Sequence, residues 1–552
     1  MPDAASKPAH STSAADDFVA SRMPESGAWP EFRFDLPELQ FGAQLNLVEE
    51  LLDKAADKGF ADRPLLRSPK ITLTYADVRE RVDRIARVLV EDLNLLAGNR
   101  VLLRGGNSIG LGLAWLAVVK AGMIAVATMP LLRAKELGDI IEKAQPVVAL
   151  CDFKLMDELN LAQAQAGPSC LKTIVPFNVM NEPGSLAVLA AQKDAGFAAF
   201  ASRATDIAMM AFTSGTTGKP KAALHSHRDI LAACECWPRH VLKARVDDIV
   251  IGSPPLAFTF GMGGLLMFPM WAGASVYFHD APYTPQSMAE VIHDVGATIC
   301  YTAPTFYRQM AAPMKALNAS RGKPALRICV SAGEGLPNAT RTLWREASGI
   351  EMTDGIGATE MFHIFISSAP DDARPGAIGK VVPGYSAKVV DEAGEELPRG
   401  TVGQLAVVGP TGCKYLDDPR QANYVKNGWN YPGDAFMQDA DGYFFYHART
   451  DDMIVTAGYN VGAPEVEDAL LRHPAVAECA VVGKTDEARG TIIKAFCVLK
   501  VGHVADAEMV KTLQDHVKAM IAPYKYPREI EFVQALPRTE TGKIQRFRLK
   551  SI

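Results

Sequence analysis

Apolar residues recur along this chain with two different periods. Between residues 75 and 93, Val78, Val82, Ile85 and Leu89 stand a helical turn apart, and Thr74 with Asp77 forms a capping-box pair at the start. Residues 46–56, 109–120 and 135–143 read as helices on the same grounds. Between them lie short runs with hardly a polar position, 100–103, 124–127 and 147–150. Strands of that kind are buried on both faces, and strands alternating with helices build a mostly parallel sheet covered on both sides. The alternation resumes with strands at 207–212 and 221–224, then 248–252 and 274–278 around a helix at 262–271, then short strands at 299–301 and 328–330. The apolar run 111–119 is ended by Lys120 before it reaches the length of a membrane span.

Past Gly379 the texture changes. Runs at 387–390 and 404–408 sit between Gly/Pro turns and read as antiparallel β structure. After Arg449 a helix at 464–473, strands at 479–482 and 495–499, a helix at 507–520 and a strand at 531–533 make a compact α+β unit of roughly a hundred residues. The boundary is placed at Thr450-Asp451-Asp452. The fold expected is α/β: an arm over 1–40, partly disordered; a large unit over 41–450 of mostly parallel sheets with an antiparallel β subdomain; and a small α+β unit over 451–552. Met1 to Met23 is Ala/Ser/Asp-rich without an apolar segment, so it reads as a disordered arm and not as a signal peptide.

Composition removes some classes of function. Among 552 residues, 57 Lys and Arg oppose 63 Asp and Glu, a net charge of −6, so no basic face for nucleic acid is implied. Nine cysteines are scattered without a C-x-x-C pair, and Cys234 and Cys236 lack a second pair to complete a zinc site. Reduced thiols in a soluble, cytoplasmic protein are the expectation, with no membrane partner.

The chemistry gathers in a few polar runs. Thr213, Ser214, Gly215, Thr216, Thr217, Gly218 and Lys219 lead through Pro220 to Lys221, between two predicted strands. Hydroxyls, lysines and two glycines that let backbone approach an anion are what a polyphosphate needs. The spacing is not that of a Walker loop. A solvated loop has the same composition, so this run alone leaves both readings open. Asp354-Gly355-Ile356-Gly357-Ala358-Thr359-Glu360 pairs a glycine turn with a hydroxyl and a carboxylate. Thr359 suits a phosphate oxygen and Glu360 suits magnesium, although a tight turn with a surface acid reads equally well. Gly433-Asp434 presents one carboxylate, Arg449 precedes Thr450-Asp451-Asp452, Gly458-Tyr459-Asn460 forms a turn, and Gly542-Lys543 ends a rigid turn near the C-terminus.

As an ordered set, these motifs resemble the adenylate-forming superfamily of acyl-CoA ligases, luciferases and peptide-synthetase adenylation domains. The resemblance spans nearly all of the chain after about residue 40. It implies a large N-terminal domain and a small mobile C-terminal domain. It implies ATP, Mg2+ and coenzyme A as participants in two half-reactions: a carboxylate attacks the α-phosphate and expels pyrophosphate, then a thiol displaces AMP. By this resemblance Lys543 contacts the carboxylate and the α-phosphate, Thr213 to Lys221 hold the β- and γ-phosphates, and Thr359 the α-phosphate. Glu360 holds magnesium, and Asp434 and Arg449 the ribose. Gly333, Glu334, Gly335, Asp354, Gly355 and Ile356 bracket adenine, with Ile356 where many relatives carry an aromatic. Asp451 is the hinge. Gly458 and Tyr459 border the coenzyme A tunnel, and Asn460 stands where some relatives carry a basic residue.

For the acid, the resemblance lines a pocket with Ala257, Phe258, Phe260, Ala303, Gly333, Gly355, Ile356, His363 and Ile364. A flat aromatic ring fits such an apolar slot. No acidic residue from Leu256 to Met270 is available to grip an α-amino group. The wording of 331–337 and 355–365 looks most like benzoate and 2-aminobenzoate CoA ligases, with 2-aminobenzoate ahead. His363 reads either as a ligand to the ring or as a satisfied core histidine. Alternatives are transfer to a carrier-protein thiol, a hydroxybenzoate or medium-chain fatty acid substrate, and a non-catalytic ATP-binding homologue. A monomer or homodimer is expected.

Overall fold

The computed structural model describes residues 10–166, 170–179, 181–213, 220–450, 453–456, 459–486, 490–538 and 544–550, with Val455, Tyr459, Asn460 and Pro523 described by backbone alone. Two α/β sheets carry the large unit. In the first, the strands run in the order Thr173–Phe177, Val148–Asp152, Arg100–Arg104, Ile124–Thr128, Ile207–Thr213, Lys221–Ser226. All neighbours are parallel except the last pair, which is antiparallel with Thr213 opposite Lys221. The second has nine strands, with Ile249–Gly252, Ile299–Thr302, Ile328–Ser331 and Met352–Gly357 parallel through its middle. Its strands Ile364–Ser367 and Lys380–Val381 turn antiparallel at one edge.

The antiparallel β subdomain is built on Val402–Val408, flanked by Ser386–Val390, Trp429–Asn430 and Asp434–Gln438, with Phe444–Arg449 beyond the last. The C-terminal unit has its own sheet of Val476–Asp486, Gly490–Leu499 and Glu529–Phe532. Its separate core contains Val466, Leu470, Val481, Ile493, Leu513 and Val517. The large unit with its sheets and the smaller C-terminal unit match the α/β expectation.

Several predicted helices are shorter or broken. The helix from Tyr75 ends at Arg87 and passes into a wider π turn at Val88–Asp92. The helix expected at 262–271 is three pieces, Thr259–Met262, Gly263–Met267 and Phe268–Ala272, with Gly263, Gly264 and Pro269 interrupting α-helical geometry.

The disorder expected for Met1 to Met23 does not hold from His10 onward. Thr12 donates to Asp206 at 2.8 Å, Asp16 pairs with Arg100, and Val19 and Met23 are buried beside Leu416. The small polar residues that make this arm look unstructured are used as hydrogen-bond partners for the body. Further along, Ala28 O accepts from Gln421 at 2.9 Å and Arg33 N donates to Gly409 O at 3.0 Å. No helix among the described residues is long and apolar enough to cross a membrane.

Candidate active site

The two sheets meet at the end of a hairpin. Strands Met352–Gly357 and Ile364–Ser367 pair with Gly355 opposite Ser367 and Gly357 opposite Ile364. Between them a 3₁₀ turn, Thr359–Met361, packs against the strands Ile207–Thr213 and Lys221–Ser226 of the first sheet. The turn closes tightly. A side chain at Gly357 would place its Cβ 2.5 Å from the His363 carbonyl oxygen, and Phe362 takes a left-handed φ of 68°. Glu360 is therefore not the surface acid of a simple turn: it is buried, at 7% exposure.

Three neighbouring side chains hold the turn. His225 Nε2 donates to Thr359 O at 2.8 Å, Thr411 Oγ1 to Met361 O at 2.8 Å, and the Tyr415 hydroxyl to Glu360 Oε1. Burial pushes the His225 imidazole down to about 4, so it is neutral near pH 7. Lys221 Nζ donates to the Tyr415 hydroxyl at 2.7 Å and lies 3.4 Å from Glu360 Oε1. Lys221 thus sits between the phosphate-loop candidate and the metal-ligand candidate. Of that loop, Ser214 to Lys219 lie outside the described residues, while Thr213 Oγ1 is buried without a hydrogen-bond partner.

Tyr415 arrives from the β subdomain along the outer edge of Lys221–Ser226. Leu224 N donates to Lys414 O at 2.8 Å and Leu416 N to Ala222 O at 3.0 Å, so this segment adds a short antiparallel rung. Beneath it, Lys414 Nζ and Asp229 Oδ2 form a buried ion pair at 2.6 Å. The Lys414 ammonium holds the Asp229 carboxyl below its ordinary value against the opposing effect of burial.

The adenine-side candidates assemble nearby. Ser331 and Asp354 are register partners on adjacent parallel strands. Burial pushes Asp354 up to about 7, against the pull of Arg341 and a hydrogen bond from Gly355 N. Glu334 accepts from Thr305 at 2.9 Å and lies 3.7 Å from Arg538 of the C-terminal unit. Arg538 and Ile544 face each other as antiparallel partners, and Lys543 between them lies outside the described residues. Asp451 and Gly458 lie outside them as well. Tyr459 pairs with Thr456 in a two-stranded ribbon.

Asp434 and Arg449 are cross-strand partners, with Arg449 Nη1 3.4 Å from each carboxylate oxygen and 2.7 Å from Pro432 O. Gly433 is needed there: its φ is 84°, and a Cβ would stand 2.8 Å from Arg449 Nη2.

Of the acyl-pocket candidates, Phe260 packs beside His363 at 5.6 Å between ring centroids, and Phe268 at 4.5 Å and Trp237 at 5.3 Å complete an aromatic nest around that ring. Ala257 and Ile364 are buried, and Phe258, Phe260, Ala303 and Ile356 half-buried. Among the described residues neither His363 ring nitrogen makes a hydrogen bond of good geometry, and the polar group acting on the ring is the Phe260 backbone. Burial pushes its imidazole down to about 3, with only the Phe260 backbone opposing. Trp237, Phe268, Tyr301, Tyr415, His225 and Arg538 were not singled out as site residues from sequence. Aromatic residues on apolar helices look like core, and Tyr415 and Arg538 become visible only when distant segments meet.

Two family models cover the chain, AMP-binding enzyme over residues 52–414 and AMP-binding enzyme C-terminal domain over 465–543. The chain belongs to the AMP-binding enzyme family. The benzoate–CoA ligase of Thauera aromatica is 34% identical over 93% of this chain and 97% of its own length. Among solved structures, the anthranilate CoA ligase AuaEII in complex with anthranoyl-AMP is 33% identical with a TM-score of 0.87, covering 94% of this chain and 98% of that one. A benzoate CoA ligase from Burkholderia xenovorans LB400 is 28% identical with a TM-score of 0.82, covering 92% of this chain and 100% of that one. The adenylate-forming superfamily read from the ordered motifs is the family found. As a member of the AMP-binding enzyme family, this chain is an enzyme.

Proposed function

We propose that this AMP-binding enzyme is an aryl acid–CoA ligase that activates 2-aminobenzoate or benzoate through an acyl-adenylate. The observation that carries the acid is His363, a neutral imidazole buried inside an aromatic nest where the Phe260 backbone is the one polar group acting on it among the described residues. Such a slot accepts a flat ring by area and edge-to-face contact, and the imidazole accepts one hydrogen from an ortho amine. The acids that these relatives are named for, benzoate and anthranilate, point the same way.

In this reading the chain's residues divide the work. A carboxylate is repelled by the phosphate it attacks, and positive charge aimed at the α-phosphate lowers that barrier. Lys543 supplies the charge, Thr359 holds the α-phosphate, and Thr213 to Lys221 hold the part that leaves as pyrophosphate. Asp434 and Arg449 take the ribose, and Gly333 to Gly335 with Asp354 to Ile356 border adenine. Asp451 is the hinge on which the C-terminal unit turns to bring Gly458 and Tyr459 to the coenzyme A thiol. Magnesium fits as a companion of ATP. One buried carboxylate, Glu360, faces the site beside Thr359, and no cluster of three His, Cys, Asp or Glu among the described residues forms a resident metal cage. When bound, the ion neutralises phosphate charge. A cytoplasmic setting goes with this reading, the nine cysteines being free thiols.

The test is AMP release across benzoate, 2-aminobenzoate, hydroxybenzoates and medium-chain fatty acids, with coenzyme A and a carrier-protein thiol as rival acceptors. Highest kcat/KM for 2-aminobenzoate or benzoate with coenzyme A is expected. A fatty acid as the best substrate, or preference for the carrier protein, would refute the assignment.

A further inference from the structure

The Tyr415 hydroxyl occupies an unusual position between two groups assigned to different parts of ATP. It accepts from Lys221 Nζ at 2.7 Å and donates to Glu360 Oε1, the same oxygen that Lys221 approaches at 3.4 Å. The ring itself lies under the ammonium, 4.7 Å from Nζ to centroid. Tyr415 is 1% exposed, so these contacts are made away from bulk solvent, where a charge-assisted hydrogen bond keeps more of its strength.

The hydroxyl is itself held from behind. Tyr415 N donates to Gln421 Oε1 at 2.9 Å, and Gln421 Nε2 donates to Cys413 O at 3.0 Å and to Ala28 O at 2.9 Å. The neighbouring backbone is zipped to Lys221–Ser226, and Asp417 N donates to Arg22 O at 2.9 Å. Tyr415 therefore approaches Glu360 on a rigid segment clamped between the first sheet and the N-terminal arm.

We infer that Tyr415 is a positioning residue for metal-bound ATP. It locks one oxygen of Glu360, fixing the carboxylate's orientation toward the nucleotide, and ties that orientation to Lys221 at the base of the phosphate loop. This rests on the proposed role of Glu360. Without the hydroxyl, Glu360 falls back on Lys221, a flexible point charge that does not fix a carboxylate plane. The loss should then appear as weaker binding of the metal–nucleotide pair and not as a slower chemical step.

The experiment is Tyr415→Phe in the full chain, which retains the ring over Lys221. Calorimetric binding of an ATP analogue with a methylene α,β bridge is measured with magnesium and with EDTA. Pyrophosphate release is measured across magnesium concentrations. Expected are about tenfold weaker binding with magnesium, the worth of one charge-assisted hydrogen bond, and a similar rise in the magnesium KM. Binding in EDTA, kcat at saturating magnesium and thioester formation from supplied aryl-adenylate should stay within about threefold of wild type, being steps or states that do not call on the Glu360 orientation. On a Glu360→Gln background the same substitution should add less than about twofold, the signature of two residues acting as one. A lowered kcat with unchanged magnesium dependence, or equal losses on both backgrounds, would overturn the role of Tyr415 while leaving Glu360 intact. Wild-type binding indifferent to magnesium would instead overturn the metal role of Glu360, and the Tyr415 proposal with it. A melting curve checks that the variant is folded; if it is not, Glu360→Gln alone must show the same loss of magnesium response.

Discussion

Replacing Lys414 with methionine removes a charge from the rung that delivers Tyr415 to the site. The side chains of Lys414 and Asp229 are 5% and 0% exposed, and their contact is 2.6 Å. Breaking such a pair from one side costs about 3–5 kcal/mol, because the remaining charge stays buried. Unfolding entropy of ~2.1 cal/mol/K per residue over ~400 residues gives ~0.8 kcal/mol/K, so Lys414→Met should melt ~4–6 °C lower at pH 8. In the wild type, the Asp229 carboxyl is held below its ordinary value despite burial, chiefly by the Lys414 ammonium. That depressed group contributes stability above about pH 4, which is lost as pH falls through its folded value. In the variant, burial is no longer opposed by the ammonium and the Asp229 value rises above that of the unfolded chain. The penalty then appears only as pH rises from about 4, at about 1.4 kcal/mol per unit until the raised value is passed. At pH 5 only about 1.4 kcal/mol of that penalty has developed, beside the wild-type contribution that is already complete there, so the melting difference should be smaller than at pH 8. His225 responds to both charges and shares the proton taken up, which changes its location but not the sign. Differential scanning fluorimetry of both proteins at pH 5, 6.5 and 8 reads this out. A melting difference identical at pH 5 and pH 8 would refute the electrostatic account and leave only lost packing of the lysine stem. Adding Asp229→Asn to the variant should recover part of the loss at pH 8.

Other variants probe the site itself. Lys543→Ala should abolish aryl-adenylate formation, measured by pyrophosphate exchange, yet largely spare thioester formation from supplied adenylate; equal loss of both steps would sink that division of labour. Gly433→Ala forces a side chain into a left-handed backbone position against Arg449, so the KM for ATP should rise several-fold with kcat retained. An unchanged KM would remove Arg449 and Asp434 from the ribose site. His363→Phe keeps the aromatic nest but loses both nitrogens, so the kcat/KM ratio of 2-aminobenzoate to benzoate should fall up to about tenfold, the worth of one neutral hydrogen bond.

Much of the fold was legible because period and burial agree. The double-sided strands Arg100–Arg104 and Ile124–Thr128 are buried throughout and stand in the sheet where alternation with helices places them. The capping box at Thr74 and Asp77 opens the helix at Tyr75 as read. What failed depends on contacts distant in sequence. A stretch such as Ala14-Ala15-Asp16 looks solvated until Arg100 is found beside Asp16. Local composition offers no sign of that partner. Likewise the local sequence leaves Glu360 equally open to being a surface acid, and it is the packing of its hairpin against the first sheet that buries it. The order of motifs revealed the family, but Tyr415 has no local pattern that distinguishes it from a core tyrosine.

The C-terminal unit is set against the large one by polar contacts. Arg308, on the helix Pro304–Arg321, donates to Ala477 O and Leu471 O of the C-terminal unit, each at 3.2 Å, and Ala339 N donates to Asp468 at 2.9 Å. Arg538 spans from Glu478 to Glu334, joining the C-terminal unit to the adenine-side segment. Arg538 and Ile544 are paired, so the two ends flanking residues 539–543 are anchored together beside Glu334. Among the described residues the apolar core of the C-terminal unit is a cluster of its own, and hydrogen bonds and ion pairs at a polar surface separate at modest cost. The proposed division of labour, in which the C-terminal unit delivers Lys543 and later withdraws it, calls for that kind of contact: directional enough to set one orientation, weak enough to release it.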